Sequence, residues 1–373
     1  MALILNEDEK MLRDAAGGFV ADKAPVKALR SLRDNKDETG FDRALWSEMA
    51  DMGFAGVLIG EDNGGVGMGF VAAGLIAEQM GRNLTASPFL STAVLAATAL
   101  GKAGSAAQKS EWLGKIASGD TIMALAVDEG RKHNPNSLET SAERSGNGFK
   151  LNGAKSMVID GHVADQFIVA AKTSGGTTLF LVDPKSQGLT TTRTDMIDAR
   201  NAAKLVLDNV EVTSDAVIGE VDGGGEVLSH VLNAGRAVVG AELVGASSKA
   251  FEDTTDYIRE RKQFGTEIGR FQALQHRSSH LYTELEIARS AMLSALSALD
   301  EQSPDSDLVI AMAKAKIGSV AKLASQEGVQ MHGGVGMTDE YDIGLYMKRI
   351  RVAQELFGDA HYHMEQIAKA KGI

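Results

Sequence analysis

Cysteine is absent from this 373-residue chain, and proline occurs only 5 times. Without cysteine, the chain has no disulfide bonds, no thiolate nucleophile and no cysteine ligand for a metal. Positive charge is also in deficit, since the formal net charge is −12. Nucleic acids and anionic membranes both attract basic surfaces, so we expect neither as a partner.

Long hydrophobic runs are missing too. The apolar stretch at 91–100 is well short of the roughly 20 residues of a membrane-spanning helix, and we expect no insertion into a membrane. The chain becomes acidic at Glu7, too early for a signal peptide. Because 44% of its residues are hydrophobic, the chain can form a large core. The sequence therefore predicts a cytoplasmic globular protein.

The period of the hydrophobic residues changes twice along the chain. It predicts a helical domain over 1–118, a small β domain over 119–222 and a second helical domain over 223–373. The fold class is thus mixed and mainly α. Strands are predicted at 122–127, 149–152, 167–171, 178–182 and 205–212, and long helices at 227–263, 271–300 and 305–328.

A glycine-rich stretch at 60–67 precedes a predicted helix. Such a loop holds phosphate when it follows a strand and carries a P-loop or dinucleotide fingerprint, and neither is present here. A turn that connects two helices is the favoured interpretation.

The stretch at 258–275 concentrates positive charge on an acidic protein. One long helix stops near Phe264 and another starts near Gln272. An aromatic side chain, an amide and several cations together suit a diphosphate attached to a ring system. A solvated, charged helix end is an equally good interpretation of this stretch alone. The cations are Arg259, Arg261, Lys262 and Arg270.

A second stretch, Gln330-Met-His-Gly-Gly-Val-Gly336, interrupts a helical region with two adjacent glycines and a third. Glycine lets a ligand or another backbone approach where a Cβ would clash. We therefore expect close approach of another group at Gly333 and Gly334.

Together these two stretches resemble the acyl-CoA dehydrogenase family. Arg261-Lys-Gln-Phe-Gly265 with Phe271-Gln272 is similar to the family's Arg-Lys-x-Phe-Gly and following Gln. Gln330-Met-His-Gly-Gly-Val-Gly336 with Glu340-Tyr341 is similar to its Gln-x-x-Gly-Gly-x-Gly and following Glu-Tyr. The resemblance covers the whole chain. Small subunits of two-component members, of the pimeloyl-CoA or steroid-side-chain type, look closest because of residues 261–275 and 356–361.

The resemblance implies an N-terminal helical domain, a β-barrel-like domain and a C-terminal four-helix bundle that assembles a tetramer. It also implies FAD at a subunit interface, where one subunit contacts the adenosine and diphosphate of its neighbour's FAD. The implied reaction is α,β-desaturation of an acyl-CoA in fatty acid or steroid catabolism, with an electron-transfer flavoprotein as electron acceptor. Carried over to this chain, the cofactor-binding residues are Arg261, Gln263, Phe264, Ile268, Gln272, Gln330, Met331, Gly333 and Gly334.

The sequence departs from the family where the chemistry is expected. Phe357 stands at the position of the family's catalytic glutamate, and Gly235 at the alternative position used by some members. In the β domain, Asp128 replaces a hydroxyl residue that donates to the flavin, and its carboxylate would repel a reduced, anionic flavin. We therefore expect that the catalytic glutamate and the flavin ring belong to a homologous partner subunit in an α2β2 assembly.

Two other readings stay open. Glu242, two helical turns beyond Gly235, is the candidate for a displaced base in a self-sufficient homotetramer, although an ion pair with an adjacent helix is the favoured role for its carboxylate. Asp359 is nearer the missing glutamate, but an exposed turn or a contact with a neighbour's cofactor is favoured. A non-redox acyl-CoA-binding or scaffold protein is the third possibility.

Arg236 is a candidate ligand for the CoA phosphates, and an ion pair between helices explains it equally well. The histidines at 332, 361 and 363 do not have metal-ligand spacing, so we expect no metal and read them as surface or interface residues. The sequence does not identify the acyl group, and bulky or dicarboxylic acyl groups are what the resemblance implies.

Overall fold

A computed structural model describes residues 4–373, so the first three residues of the predicted N-terminal domain lie outside the described part. The chain forms two compact units. The first, which we call the helical unit, comprises the chain up to Ser31, Phe70–Thr85 and Arg236–Ile373. The second, which we call the sheet unit, comprises Leu32–Gly69 and Ala86–Gly235.

Six α-helices precede the sheet. The first begins at a capping box, in which the side chain of Asn6 accepts from the backbone of Glu9 and the side chain of Glu9 accepts from the backbone of Asn6. A buried π-helical segment, Phe89–Ala96, runs into the fifth helix. The helices are Glu7–Lys23 (α1), Val26–Asp34 (α2), Arg43–Asp51 (α3), Gly69–Asn83 (α4), Ala97–Ala103 (α5) and Ala106–Ala117 (α6).

The sheet unit is built on an eight-stranded sheet. Its strands are Met123–Ala126 (β1), Ser141–Ser145 (β2), Gly148–Ile159 (β3), Gln166–Lys172 (β4), Thr177–Val182 (β5), Leu189–Asp195 (β6), Asn201–Thr213 (β7) and Val217–Ile218 (β8). They are ordered β6-β7-β3-β2-β4-β5-β8, with β1 paired in parallel to β4. A core of aromatic and aliphatic side chains, including Phe149, Phe167 and Phe180, is fully buried against the sheet.

The five predicted strands are confirmed, but β2, β6 and the two-residue β8 of the same sheet were not predicted. Strands β2 and β6 read Ser-Ala-Glu-Arg-Ser and Leu-Thr-Thr-Thr-Arg-Thr-Asp, and most of their residues are exposed or half-buried. Because each buries few apolar side chains, the alternation that marks a strand in sequence is absent. Both strands are instead stabilised by backbone hydrogen bonds to the strands beside them.

The last 150 residues are helical, as predicted. The long helices are Gly224–Glu260 (α7), Gln272–Asp300 (α8) and Ser306–His332 (α9), followed by Ile343–Glu355 (α10) and Ala360–Lys371 (α11). The prediction that α7 reaches residue 263 was wrong. The helix ends three residues earlier, and Lys262–Gln263 (β9) pairs with Thr266–Glu267 (β10) in a short hairpin. The chain reverses there because Phe264 and Gly265 are both left-handed.

Small residues let the helices of the helical unit pack closely. A Cβ on Gly81 of α4 would lie 2.1 Å from the carbonyl oxygen of Glu242 on α7, and one on Gly245 would lie 1.9 Å from the carbonyl oxygen of Glu78. Both helices therefore need glycine at their crossing. Among residues 4–373, no helix has the length and apolar character required to cross a membrane.

Candidate functional site

The two sequence motifs meet at one end of the helical unit, although about 70 residues separate them. The ring of Tyr257, near the end of α7, stacks on His332 at the end of α9 with centroids 4.4 Å apart, and its hydroxyl donates to the carbonyl of His332 at 3.3 Å. The hydroxyl of Ser278 on α8 lies 3.8 Å from the sulfur of Met331. The hairpin after α7 and the loop after α9 therefore belong to one surface.

The hairpin presents an aromatic side chain to solvent. Phe264 is 91% exposed and has a φ of 55°, in the left-handed region that residues with a Cβ rarely adopt. Its ring touches Phe271 edge to face at 6.1 Å. Left-handed backbone costs about 1–2 kcal/mol and an exposed ring gains little burial in return. The arrangement is therefore suited to a ring that packs on a second molecule.

Of the four predicted cations, one differs from the rest. Three are paired with nearby carboxylates: Arg259 with Asp256 (3.1 Å), Lys262 with Glu267 (3.6 Å) and Arg270 with Glu267 (2.8 Å). For the side chain of Arg261, which is exposed, the structure describes no hydrogen bond or ion pair within residues 4–373. Arg261 is thus the guanidinium available to an anionic ligand.

The loop after α9, residues 333–342, is here called the glycine loop. Gly333 has a φ of 65° and ends the helix, with its N–H directed to the carbonyls of Val329 and Gln330. A Cβ on Gly333 or Gly334 would meet no atom within 4 Å, whereas one on Gly336 would lie 2.9 Å from the Cβ of His332. Packing within the chain explains Gly336 but not Gly334. Bare backbone is therefore exposed at the first two glycines.

The other predicted cofactor contacts fall into three groups. Gln272 and Gln330 are exposed at the facing ends of α8 and α9, and within residues 4–373 no side-chain hydrogen bond is described for either. Gln263 donates to the adjacent carbonyl of Lys262 at 2.8 Å. Ile268 is half-buried and Met331 is buried, so Met331 is the least accessible of the predicted contacts.

The reading of His332 as a surface or interface residue was wrong, because it is 4% exposed and part of an aromatic cluster with Tyr257 and Tyr341. Burial lowers the pKa of His332, and its Nδ1 lies 2.8 Å from the carbonyl of Gly328. Sequence reasoning missed Tyr257, whose spacing of four residues from Arg261 was the available signal. His363 is also buried, whereas His361 is exposed. Within residues 4–373, no group of three or more side chains suits a metal ion.

The position of the missing glutamate lies in residues 353–359, which comprise the end of α10 and the turn that follows it and are here called the C-terminal turn. Phe357 is buried, with a φ of 59°, and its carbonyl accepts from Nε of Arg236 at 3.0 Å. The predicted exposed turn at Asp359 is instead a helix cap, since its carboxylate accepts from the N–H of Tyr362 at 2.8 Å. Gly235 is buried on α7. Neither family position therefore offers a carboxylate.

A buried lysine that the sequence analysis did not identify donates hydrogen bonds to backbone carbonyls of the C-terminal turn. Nζ of Lys314 on α9 donates to the carbonyls of Gln354 at 2.9 Å and Gly358 at 3.1 Å. Burial lowers the pKa of Lys314 to about 7, and the positive charge of Arg236 acts in the same direction. The lysine satisfies carbonyls that the end of α10 leaves without helical partners.

Arg236, the candidate for the CoA phosphates, is also engaged with this turn. Besides its bond to Phe357, the guanidinium lies over the ring of Tyr362, 5.6 Å from the centroid. These contacts explain Arg236 within the chain.

Glu242 adopts the role favoured by the sequence analysis. Its carboxylate is buried on α7 and lies 3.1 Å from the guanidinium of Arg349 on α10, which is also buried. The ion pair with Arg349 occupies this carboxylate within the chain. The pairing argues against Glu242 as the displaced base.

In the sheet unit, Asp128 and Glu129 are also paired with the chain itself. The carboxylate of Asp128 lies 2.8 Å from Nδ1 of His133, and that of Glu129 lies 2.6 Å from Nζ of Lys155, which is wholly buried. Although burial favours its neutral form, hydrogen bonds led by that from Lys155 hold the pKa of Glu129 below its usual value. A bulge in β3 after Lys155 contains Met157, whose φ is 54°.

The glycine-rich stretch at 60–67 is a connecting turn, as predicted. A short 3₁₀ turn at Glu61–Asn63 is followed by close backbone packing, and a Cβ on Gly65 would lie 2.0 Å from the carbonyl oxygen of Ile59. The glycines are explained by the turn itself.

Three protein-family models match the chain in sequence order. They are the acyl-CoA dehydrogenase N-terminal domain over residues 6–120, the middle domain over 124–210 and the C-terminal domain over 222–372.

Individual relatives are similar over nearly the whole chain. The short/branched chain specific acyl-CoA dehydrogenase of Bos taurus mitochondria is 27% identical, covering 97% of this chain and 85% of the relative. A variant of the Tcur3481-Tcur3483 steroid ACAD is 28% identical with a TM-score of 0.90, covering 98% of both chains. The ChsE4-ChsE5 complex from Mycobacterium tuberculosis is 26% identical with a TM-score of 0.91, covering 100% of this chain and 99% of the other.

Proposed function

The chain belongs to the acyl-CoA dehydrogenase family of oxidoreductases, which act on the CH–CH group of acyl-CoA, and on this premise we propose that it is one subunit of a two-component enzyme. In the proposal it lends an FAD half-site to a homologous partner that carries the catalytic glutamate. The half-site consists of Arg261, Phe264, Gln272, Gln330, Gly333 and Gly334.

The observation that carries the proposal is the open state of this half-site within the chain. Arg261 has no described side-chain partner within residues 4–373, Phe264 is exposed in a costly conformation, and Gly334 has no packing reason to be glycine. Each feature is explained by a molecule outside the chain. A cofactor diphosphate would meet the guanidinium and the bare backbone, and its ring system would meet Phe264.

The reaction also needs a flavin ring and a carboxylate base, and the proposal places neither in this chain. When bound, the flavin accepts the β hydride of an acyl-CoA, and a carboxylate must take the α proton. This chain has Phe357 and Gly235 at the family positions for that carboxylate, and Glu242 is paired with Arg349. The proposal therefore assigns proton removal and the flavin ring to the partner subunit.

The similarity to the Tcur3481-Tcur3483 and ChsE4-ChsE5 proteins supports an assembly of two kinds of subunit. We propose an α2β2 arrangement for this chain, with an acyl-CoA as substrate. An electron-transfer flavoprotein is the proposed electron acceptor of the assembly.

Purification of the chain alone and with a co-expressed homologous subunit tests the proposal. We expect the chain alone to lack flavin absorbance and activity, and the assembly to be yellow and to oxidise acyl-CoA. A yellow and fully active homotetramer of this chain would contradict the hetero-subunit role. An assembly without flavin would contradict the redox function itself.

A further inference from the structure

The glycine loop is anchored at both ends by side chains from other elements. At its start, the stacked rings of Tyr257 and His332 hold the end of α9. Tyr341, near its other end, completes the cluster with edge-to-face contacts to both rings, at 5.6 and 5.5 Å. The aromatic cluster therefore contacts the loop at His332 and Tyr341, and residues 339–342 have a further contact.

Arg30 of α2 provides that second anchor. Its Nε donates to the carboxylate of Asp342 at 2.9 Å and its Nη1 donates to the carbonyl of Asp339 at 2.9 Å. The same Nη1 lies 3.2 Å from the carboxylate of Asp339. One guanidinium thus engages three oxygen atoms on two loop residues.

The geometry of the Arg30 contact distinguishes it from an ordinary surface ion pair, although the side chains of Asp339 and Asp342 are 61% and 42% exposed. The side chain of Arg30 is 19% exposed, and its Nη2 lies 2.8 Å from the Asp342 carboxylate without hydrogen-bond geometry. Exposed ion pairs contribute little to stability because water screens them. A planar guanidinium bonded to several fixed acceptors also fixes the positions of the groups that it contacts. A lysine cannot reproduce this fork.

We propose that Arg30 is a positioning residue for the cofactor half-site, acting through the glycine loop. The inference rests on the proposed function, because the loop matters for binding only if Gly333 and Gly334 face a cofactor. By holding residues 339–342, Arg30 restricts the loop to one path between α9 and α10. A loop already in its binding conformation loses less entropy when the ligand binds.

The first test measures the loop in the chain alone. Amide hydrogen exchange of peptides covering 333–342 is compared between the wild type, Arg30→Gln and Arg30→Lys. We expect loop exchange about tenfold faster in both variants, as loss of a contact of about 1.4 kcal/mol would produce. Unchanged exchange in the loop would overturn the inference.

The matched control is Arg82→Gln. Arg82 makes a bidentate pair with Glu252 at 3.0 and 2.6 Å in the same unit, and its side chain is similarly exposed, at 27%. This pair lies between α4 and α7 and does not contact the loop. We expect the control to leave exchange at 333–342 unchanged, and an equal effect of both variants would indicate a general loss of stability and overturn the inference.

The second test measures FAD affinity in the assembly with the partner subunit. We expect about tenfold weaker binding for Arg30→Gln, for Asp342→Asn and for the double variant, because coupled residues do not add. Wild-type affinity in Arg30→Gln would overturn the positioning role. If the wild-type assembly binds no FAD, the proposed function fails instead, and this is visible before any variant is made.

Discussion

The proposed cofactor half-site and the C-terminal turn lie in the same helical unit, but they differ in whether their polar groups have partners within the chain. The half-site leaves Arg261, Gln272 and the backbone at Gly334 open to a second molecule. In the C-terminal turn, Arg236 and Lys314 are directed at carbonyl groups of the chain itself. The difference is the one that the proposed function requires, with polar groups open to a partner's cofactor in one region and polar groups paired within the chain in the other.

The largest expected effect concerns the closed region. Replacing Glu242 by Gln removes the buried ion pair between this carboxylate and the guanidinium of Arg349, and breaking a buried pair from one side costs about 3–5 kcal/mol. We expect a corresponding loss in the free energy of unfolding, measured by chemical denaturation. At a temperature where the variant is folded, activity per bound flavin in the assembly should equal that of the wild type. Abolished activity with full flavin content would identify Glu242 as a base.

A pair of glycine variants sharpens the comparison at the open region. Gly334→Val places side-chain atoms where the chain itself has open space, so stability should be unchanged while FAD affinity in the assembly falls about a hundredfold, or about 2.7 kcal/mol. Gly336→Val is the control, because its Cβ would crowd His332 and should destabilise the chain. Full FAD affinity in Gly334→Val would show that nothing approaches the loop.

Arg261 and Arg270 provide a second matched pair. We expect Arg261→Gln to weaken FAD binding about 10- to 100-fold, since a hydrogen bond to a charged group contributes about 1.5–3 kcal/mol. Arg270→Gln should have a much smaller effect, because Glu267 already pairs with that guanidinium. Titration of the apo-assembly with FAD measures both. Equal losses would mean that the patch acts only through its total charge.

Per pH unit, Lys314 gives the smallest expected effect, a pH dependence of stability. Its pKa is depressed to about 7 in the folded chain, so the unfolded chain binds more protons between about pH 7 and 10. The contribution of Lys314 to the free energy of unfolding should therefore rise with pH in this window, by up to about 1.4 kcal/mol per unit. Lys314→Met should lose this slope in denaturation series. The same slope in both proteins would contradict the assignment.

Sequence patterns predicted the architecture because most elements carry a strong hydrophobic period. They failed at β2 and β6, which bury little, and at the end of α7, where a left-handed Phe264 reverses the chain. Phenylalanine rarely adopts the left-handed conformation, so no signal in the sequence indicated the reversal at Phe264. The bounds of the three predicted domains stay a prediction.

The residues of the candidate site stay a prediction, which rests on the resemblance of the stretches around Arg261 and Gly333 to the family. Their exposure and the pairing of the other cations depend on tertiary contacts. Arg30 lies about 310 positions from Asp342, and no local pattern links them. Lys314 was missed for a similar reason, since a lysine on an apolar helix gives no sign of which carbonyls lie above it.

The most direct test of the account is the flavin absorbance of the purified chain, recorded alone and after assembly with its homologous partner subunit. We predict no flavin absorbance for the chain alone and stoichiometric flavin in the assembly, lost on Gly334→Val. Flavin bound to the chain alone, with turnover of an acyl-CoA, would contradict the claim that this subunit lends its half-site to a partner.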